Sequence, residues 1–529
     1  MGTGGLNTVI VEHEKRLSQS LLWKLQRSFY EQKGVEAWSR SAVPHYITNN
    51  PFIAAAYAQV VEAFIEDCRA GLDERQPLYI VELGAGTGKF AYHFLRRLLP
   101  AFAHTPLRIV YVLTDLAERN VAFWQSNPRL QPFVESGNLD FACFDPSVED
   151  SIHLRCSGQA LSPGAPGNPL VVLANYFFDS VPQDAFYIQN GILCETLATL
   201  RAAAGLGLDF NDPAILPHLQ IEYRSRPAPA AYFRDSQFNQ VLHHAARKLD
   251  RAYLQFPTGG LEIIRRLRRL AGDQLLLLSA DRGYYEAAAL SRQREPEISL
   301  HGGAFSMAVN FQVIDQYFRL RGGKTFESHH REEGLVISAC VLGAGKEQGW
   351  KATGLAFQNA VEHGGPDDFF LLKRALDPLY ETFTVEQMLA MLRLSGYDSN
   401  VFAHCFPVLL RRVEAAEDLD VFLQEKIDEM MRRVWENAYP IGEPFDLGLA
   451  LAKLAAAMGY YYDALDYLEQ SAALYGPTPE REQLAAQCRA HLWPAADAGD
   501  GLTSEANELP ADPGKSAPFS FSASPSPAG

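Results

Sequence analysis

Residues 79–90 read Tyr79-Ile80-Val81-Glu82-Leu83-Gly84-Ala85-Gly86-Thr87-Gly88-Lys89-Phe90, and the reading of this dozen decides the fold. An apolar run ends in a carboxylate, crosses three alternating glycines, and opens into Phe90, Phe94, Leu95, Leu98 and Leu99 at helical spacing. The pattern predicts a strand, a tight turn and a helix. A turn stripped of side chains lets a ligand lie against the backbone. The helix N-terminus behind it favours an anionic or carboxylate-bearing group.

Outward from this unit, apolar strands alternate with helical segments. Strands are predicted at 78–83, 108–113, 139–144, 170–174 and 275–279, with a closing hairpin at 325–329 and 334–341. Continuous apolar strands between helices indicate an α/β fold with a parallel sheet buried on both faces. A β-hairpin is expected at 185–188 and 192–197, because Asn190-Gly191 is a strong hairpin turn. It is expected to open an insertion of about residues 185–270 that lines or covers a substrate site, with loop decoration as the alternative. Ahead of the sheet, residues 1–77 are expected to be helical, with Leu17, Leu21, Leu22, Leu25 and Phe29 at helical spacing. Asn50-Pro51 marks a second helix start there. Residues 355–492 carry helical apolar faces throughout, and 493–529 are rich in Ala, Gly, Ser and Pro, a composition expected to be disordered. The segment from Gly459 to Ala472 resembles the second helix of a tetratricopeptide repeat, with a generic helical hairpin as the alternative.

Composition narrows the function classes. The 529-residue chain is long enough for two to four domains, and 47% apolar content supplies their cores. A formal charge of −16, from 47 basic and 63 acidic residues, argues against general nucleic-acid binding. The seven cysteines form no C-x-x-C pair and the fourteen histidines no H-E-x-x-H, so no metal site is expected. The scattered cysteines fit a reducing cytosol. No run approaches the ~18 apolar residues of a membrane span, and no secretory signal is evident at the N-terminus.

Three ligands compete for the glycine turn. A P-loop requires G-x-x-x-x-G-K-[ST], but Leu83 stands at its first glycine and Phe90 at its hydroxyl. A dinucleotide loop requires G-x-G-x-x-G, whereas the third glycine here comes one residue early, at Gly88. The order acidic residue, apolar residue, G-x-G-x-G resembles the S-adenosylmethionine loop of class I methyltransferases. Glu82 suits that cofactor, whose ammonium and sulfonium welcome a carboxylate that a pyrophosphate would not. On this reading Glu82, Gly84, Ala85, Gly86 and Gly88 form the cofactor loop. The other cofactor residues are expected beyond the carboxyl ends of the following strands. Asp115 is placed to accept the ribose hydroxyls and Asp145 the adenine amino group. Helix capping is the alternative for Asp115, and an ordinary turn the alternative for Asp145.

The fourth strand ends in Asn175-Tyr176-Phe177-Phe178-Asp179-Ser180-Val181-Pro182. This run resembles the N-E-F-F-D-[AS]-x-P signature of the MidA-like methyltransferases, a family with a member assigned arginine methyltransferase activity. Tyr46-Ile47-Thr48 with Pro51-Phe52-Ile53 resembles the family's entry segment. Asp281-Arg282-Gly283-Tyr284 resembles its D-Y-G-Y, and Val309-Asn310-Phe311 its H-V-D-F. The resemblance spans roughly residues 40–345. Tyr176, Arg282 and Asn310 depart from it, standing where the family has Glu, Tyr and Asp.

The resemblance implies a class I, Rossmann-like, seven-stranded methyltransferase sheet over 78–345, followed by an all-α C-terminal domain. It adds Asn175 to the S-adenosyl-L-methionine site. Asp179 and Glu195 become the candidate catalytic carboxylates, able to orient a guanidinium or amine and take its proton; helix capping is the alternative for Asp179. The expected acceptor is a protein side chain, arginine by resemblance. The helical domain is expected to recruit that protein, without a part in cofactor binding. A catalytically silent cofactor-binding scaffold and a small-molecule methyltransferase are the competing readings.

Overall fold

The computed structural model describes residues 8–39, 46–205, 207, 209–247, 249–285, 295–329, 334–416 and 420–493. The expected disordered tail lies, from residue 494, outside the described residues, as does the hairpin turn at 331–333. In chain order the strands are β1 (Thr8–Arg16), β2 (Leu78–Glu82), β3 (Ile109–Asp115), β4 (Leu139–Cys143), β5 (Ile152–His153), β6 (Ala160–Leu161), β7 (Leu170–Asn175), β8 (Asp184–Gln189), β9 (Ile192–Ala203), β10 (Gln220–Pro227), β11 (Arg251–Phe256), β12 (Leu275–Tyr284), β13 (Ser299–His301), β14 (Ala304–Ser306), β15 (Val309–Asn310), β16 (Lys324–Glu327) and β17 (Leu335–Leu342).

The main sheet runs β16-β17-β12-β7-β2-β3-β4, with β15 added beside the end of β12. Among the described residues it therefore has eight strands, one more than expected, the extra one being the two-residue β15. Strands β12, β7, β2, β3 and β4 are parallel, whereas β17 runs antiparallel to both β12 and β16. Both faces are covered, which explains the unbroken apolar runs. Leu78 and Ile80 face a core shared with the Pro51–Cys68 and Lys89–Phe102 helices. Tyr79 and Val81 face the opposite core, with Leu261, Ile264 and Leu267 of the Thr258–Leu270 helix. The order reverses at β2, between β7 and β3. In an open α/β sheet such a reversal opens a crevice at the carboxyl ends.

The insertion builds its own antiparallel sheet. Long β9 pairs with β8, β10 and β1, and β8 continues to β11. Here the structure corrects the sequence reading of residues 1–77 as helical. The Thr8-Val9-Ile10-Val11 run is β-branched, and it lies in β1 against β9, where branched side chains pack well. The helical signal holds from Leu21, and the Leu21–Lys33 helix is capped by the Ser20 side chain. At the second helix start, the Asn50 side chain accepts from the Phe52 and Ile53 amides, with Pro51 in the first turn.

The described chain beyond Lys351 is helical to Leu492 apart from short connections. Its core, around Met388, Leu409, Met430 and Leu451, is separate from those of the sheet. Helices Leu447–Ala457 and Tyr461–Tyr475 pack so closely that a Cβ on Gly448 would stand 2.8 Å from Ser471 Cβ. Arg481 of the next helix donates to Ser471 Oγ, which in turn donates to Asp446.

Candidate functional site

A cavity of about 490 Å³ opens at the carboxyl ends of β2, β3, β4 and β7. The glycine turn forms its floor. Gly84, Gly86 and Gly88 all have positive φ, at 59°, 55° and 74°, a region in which side chains are strained. A Cβ on Gly84 would lie 3.2 Å from the Phe177 ring, and one on Gly86 3.1 Å from Trp38. Ala85 and Gly84 face the cavity, whereas Gly88 does not line it. Gly88 instead caps the Lys89–Phe102 helix, where an added Cβ would stand 3.1 Å from both Trp124 Cδ1 and Tyr439 Oη.

Two buried carboxylates anchor the turn. Glu82, the last residue of β2, accepts a hydrogen bond from Tyr111 Oη at 2.8 Å. Burial pushes its carboxyl up to about 8; the Tyr111 bond opposes that rise and neighbouring Asp115 adds to it. Asp115, the last residue of β3, accepts the Gly86 amide at 3.1 Å and the Ala117 amide at 3.0 Å. Its pKa is also raised by burial, against those backbone donors. The Trp124 indole donates to the Gly86 carbonyl at 2.9 Å, fixing the turn from behind.

Asp145 lies on the cavity wall after β4. Its carboxylate accepts from Arg27 and from the Ser147 amide. Burial alone would raise its pKa, but Ser147 and Arg27 hold it below the usual carboxylate range. Asn175, at the end of β7, accepts from Tyr57 Oη at 2.9 Å and donates to the Thr48 carbonyl. Tyr176 follows with φ of 48°, an uncommon conformation for a bulky residue, and lines the cavity.

Asp179 also lines the cavity and is buried, with Ser180 Oγ donating to it at 2.9 Å. Burial pushes its carboxyl up to about 6, against Ser180, Arg282 and Asp281. Asp281 behind it is fully buried, accepts the Phe178 and Asp179 amides, and is raised by burial and by the Asp179 charge. The two carboxyls form a pair that does not readily hold two negative charges.

Glu195 is not brought into this cavity. It sits on β9 directly opposite Arg226 of β10, which donates to it at 2.7 Å, with Arg16 at 3.7 Å on its other side. Its place in the hairpin is the expected one, but the ladder spends its carboxylate on a cross-strand ion pair. The expected partnership with Asp179 is thereby corrected.

Several lining residues escaped the sequence reading. Tyr30 and Trp38, stacked with ring centroids 5.8 Å apart, cover the cavity from the N-terminal segment. His301 and Ser306, whose Nε2 and Oγ lie 2.9 Å apart, line it beside Arg282. The Met307 amide donates to the Asp179 carbonyl at 3.0 Å and so fastens β14 to the Asp179 turn. None of these carries a local motif; β-pairing and helix packing bring them in from 18–38 and 299–307. Among the described residues no group of three His, Cys, Asp or Glu side chains could hold a metal ion. No helix among them is long and apolar enough to cross a membrane.

Residues 58–296 match the model of a family described as "Putative S-adenosyl-L-methionine-dependent methyltransferase". That match makes S-adenosyl-L-methionine the cofactor of this region. Among curated proteins none matches the sequence. Solved structures with some likeness include a COG1565 superfamily member from Burkholderia thailandensis bound to S-adenosyl-homocysteine, with 14% identity, covering 67% of this chain and 86% of that one at a TM-score of 0.38. A native COG1565 superfamily protein from the same organism has 14% identity, covers 62% and 92%, and has a TM-score of 0.37. At those scores the likeness adds no weight to the family match.

Proposed function

We propose that this chain transfers a methyl group from S-adenosyl-L-methionine to a protein side chain, arginine by resemblance to the MidA-like family. One observation carries the reading. A single cavity at the sheet's switch point is lined by the glycine turn, Glu82, Asp115 and Asp179, with Asp281 holding the Asp179 turn. The bare positive-φ backbone at Gly84 and Gly86 leaves room that a side chain would fill, and the buried carboxylates suit a cationic sulfonium ligand.

In this reading Asp115 accepts the ribose hydroxyls while holding the Gly86 amide. Asp145 meets the adenine amino group, its position set by Arg27. Glu82 holds the turn and meets the cofactor's positive charge, and Asn175 borders the transfer end, pinned by Tyr57. The bound cofactor supplies an activated methyl on sulfur. The chain must then place the acceptor in line and remove its proton. A carboxyl raised to about 6 is ionised at neutral pH yet basic enough to take that proton. We assign this role to Asp179, with Asp281 fixing its turn through two backbone amides. The helical region then recruits the protein substrate, using the tetratricopeptide-like hairpin at 447–475.

Calorimetry with S-adenosyl-L-methionine, followed by labelled methyl transfer into a size-fractionated lysate, tests the reading. Label in the protein fraction supports it, and label only among small molecules replaces the acceptor class. Tyr176 favours a second reading, binding without turnover, because it lines the cavity where the MidA-like pattern has Glu. Tight binding with no label in either fraction supports that reading, and Tyr176→Glu is then expected to gain transfer.

A further inference from the structure

The helical region does more than sit beside the sheet domain; it reaches the glycine turn itself. After the Val421–Glu436 helix, Tyr439 runs inward, buried, and donates its hydroxyl to the Thr87 carbonyl at 2.8 Å. Thr87 lies between Gly86 and Gly88, so the bond joins the turn to a residue 352 positions later. The same hydroxyl is one of the atoms that forbids a side chain at Gly88. The Tyr439 ring packs on Tyr92, at 5.3 Å between centroids, one turn into the helix that the glycines begin.

Neighbouring contacts hold the Tyr439 segment in place. Tyr92 Oη and Arg96 both donate to the Glu436 carbonyl, and Lys89 pairs with Glu443 at 3.4 Å. Arg129 donates to the Trp435 carbonyl and stacks over its ring. The turn is thus fixed from two sides, by the Trp124 indole on the Gly86 carbonyl and by the Tyr439 hydroxyl on the Thr87 carbonyl. Its cavity side, where Gly84 and Ala85 lie, is left for a ligand.

We infer that Tyr439 is a positioning residue for the cofactor, and that the helical region forms the back wall of the cofactor site as well as any recruiting surface. The inference rests on the assignment of the turn to S-adenosyl-L-methionine. Three glycines at alternate positions, all with positive φ, have many alternative conformations. Without an external partner the turn populates its binding shape only part of the time, and apparent affinity falls by that fraction. Linkage makes the effect reciprocal, so cofactor binding must tighten the seating of residues 435–443.

Tyr439→Phe removes only the hydroxyl and keeps the ring on Tyr92. Expected results are cofactor binding about tenfold weaker, the size of one buried hydrogen bond lost from a needed conformation, and faster amide exchange across residues 84–89 in the cofactor-free protein. Methyl transfer at saturating cofactor stays unchanged while the cofactor KM rises. Thr353→Ala is the control. It breaks the Thr353 Oγ1–Asp67 bond of 2.7 Å at the far end of the Pro51–Cys68 helix. It should lower the melting temperature and leave cofactor affinity and exchange at 84–89 as in the wild type. Tyr439→Phe with wild-type affinity and exchange overturns the inference. So does an equal loss of affinity in both variants, which would mark general loosening. If the wild type binds no S-adenosyl-L-methionine, the cofactor assignment fails, and the exchange comparison still decides whether Tyr439 fixes the turn.

Discussion

The cavity is lined by two sets of residues, each assigned to one end, that are built in opposite ways. The end assigned to the cofactor comes from successive strand ends, Glu82, Gly84 to Gly86, Asp115 and Asp145, within 64 residues of sequence. The end assigned to the acceptor is assembled from Tyr30, Asp179, Arg282 and the His301–Ser306 pair, drawn from four distant segments. A ligand held by a recurring strand–turn–helix leaves a compact signature. An acceptor site defined by converging loops leaves none, and this is the end where the chain departs from the MidA-like pattern it resembles, at Tyr176 and Arg282.

The comparison breaks most visibly if damage at one end reaches the other. Gly84→Arg forces a side chain onto a positive-φ position 3.2 Å from Phe177. Cofactor binding should vanish in calorimetry while circular dichroism remains that of a folded protein. Asp179→Asn should leave cofactor affinity intact and lower transfer at saturating cofactor by roughly 100-fold, the lower range for a lost proton acceptor. Equal losses in affinity and turnover would merge the two ends into one.

The third prediction concerns pH. The folded pKa of Glu82, about 8, stands above its ordinary value of 4.5. Its stabilising contribution is therefore complete below about pH 4.5 and is lost as pH rises through about 8. The melting temperature of the cofactor-free protein should fall across that window, and Glu82→Gln should flatten the slope. Asp179 acts in the same direction, across the window from its ordinary 3.8 to about 6. The smallest effect is expected at Glu195. Glu195→Gln should change transfer by less than about twofold and stability only modestly, since its Arg226 partner is largely solvated.

Much of the scaffold was legible because the parallel strands β2, β3, β4, β7 and most of β12 are apolar runs between helical segments, buried on both faces. The cofactor turn was legible because its glycines are demanded by backbone shape rather than by contact. Glu195 was misread for a definite reason: its partner is set by the register of β10 on β9, and Arg226 carries no local mark of that pairing. Residues 8–16 were misread because the helical spacing that begins at Leu17 was extended backward over a β-branched run. Tyr439 was invisible in sequence because nothing local distinguishes a tyrosine in a loop from one 2.8 Å from a carbonyl 352 residues away.

The pairing of β1 with β9 has a consequence for how the chain is made. Glu14 of β1 donates its amide to Thr199, 185 residues later, so among the described strands β1 waits longest for its neighbour. Until β9 emerges, Thr8-Val9-Ile10-Val11 is a β-prone edge with no partner, the kind of segment that seeds aggregation. The residues that follow, Glu12, Glu14, Lys15 and Arg16, place charges directly beside it. Such flanking charges act as gatekeepers, and here they guard a nascent strand through the interval before its sheet exists.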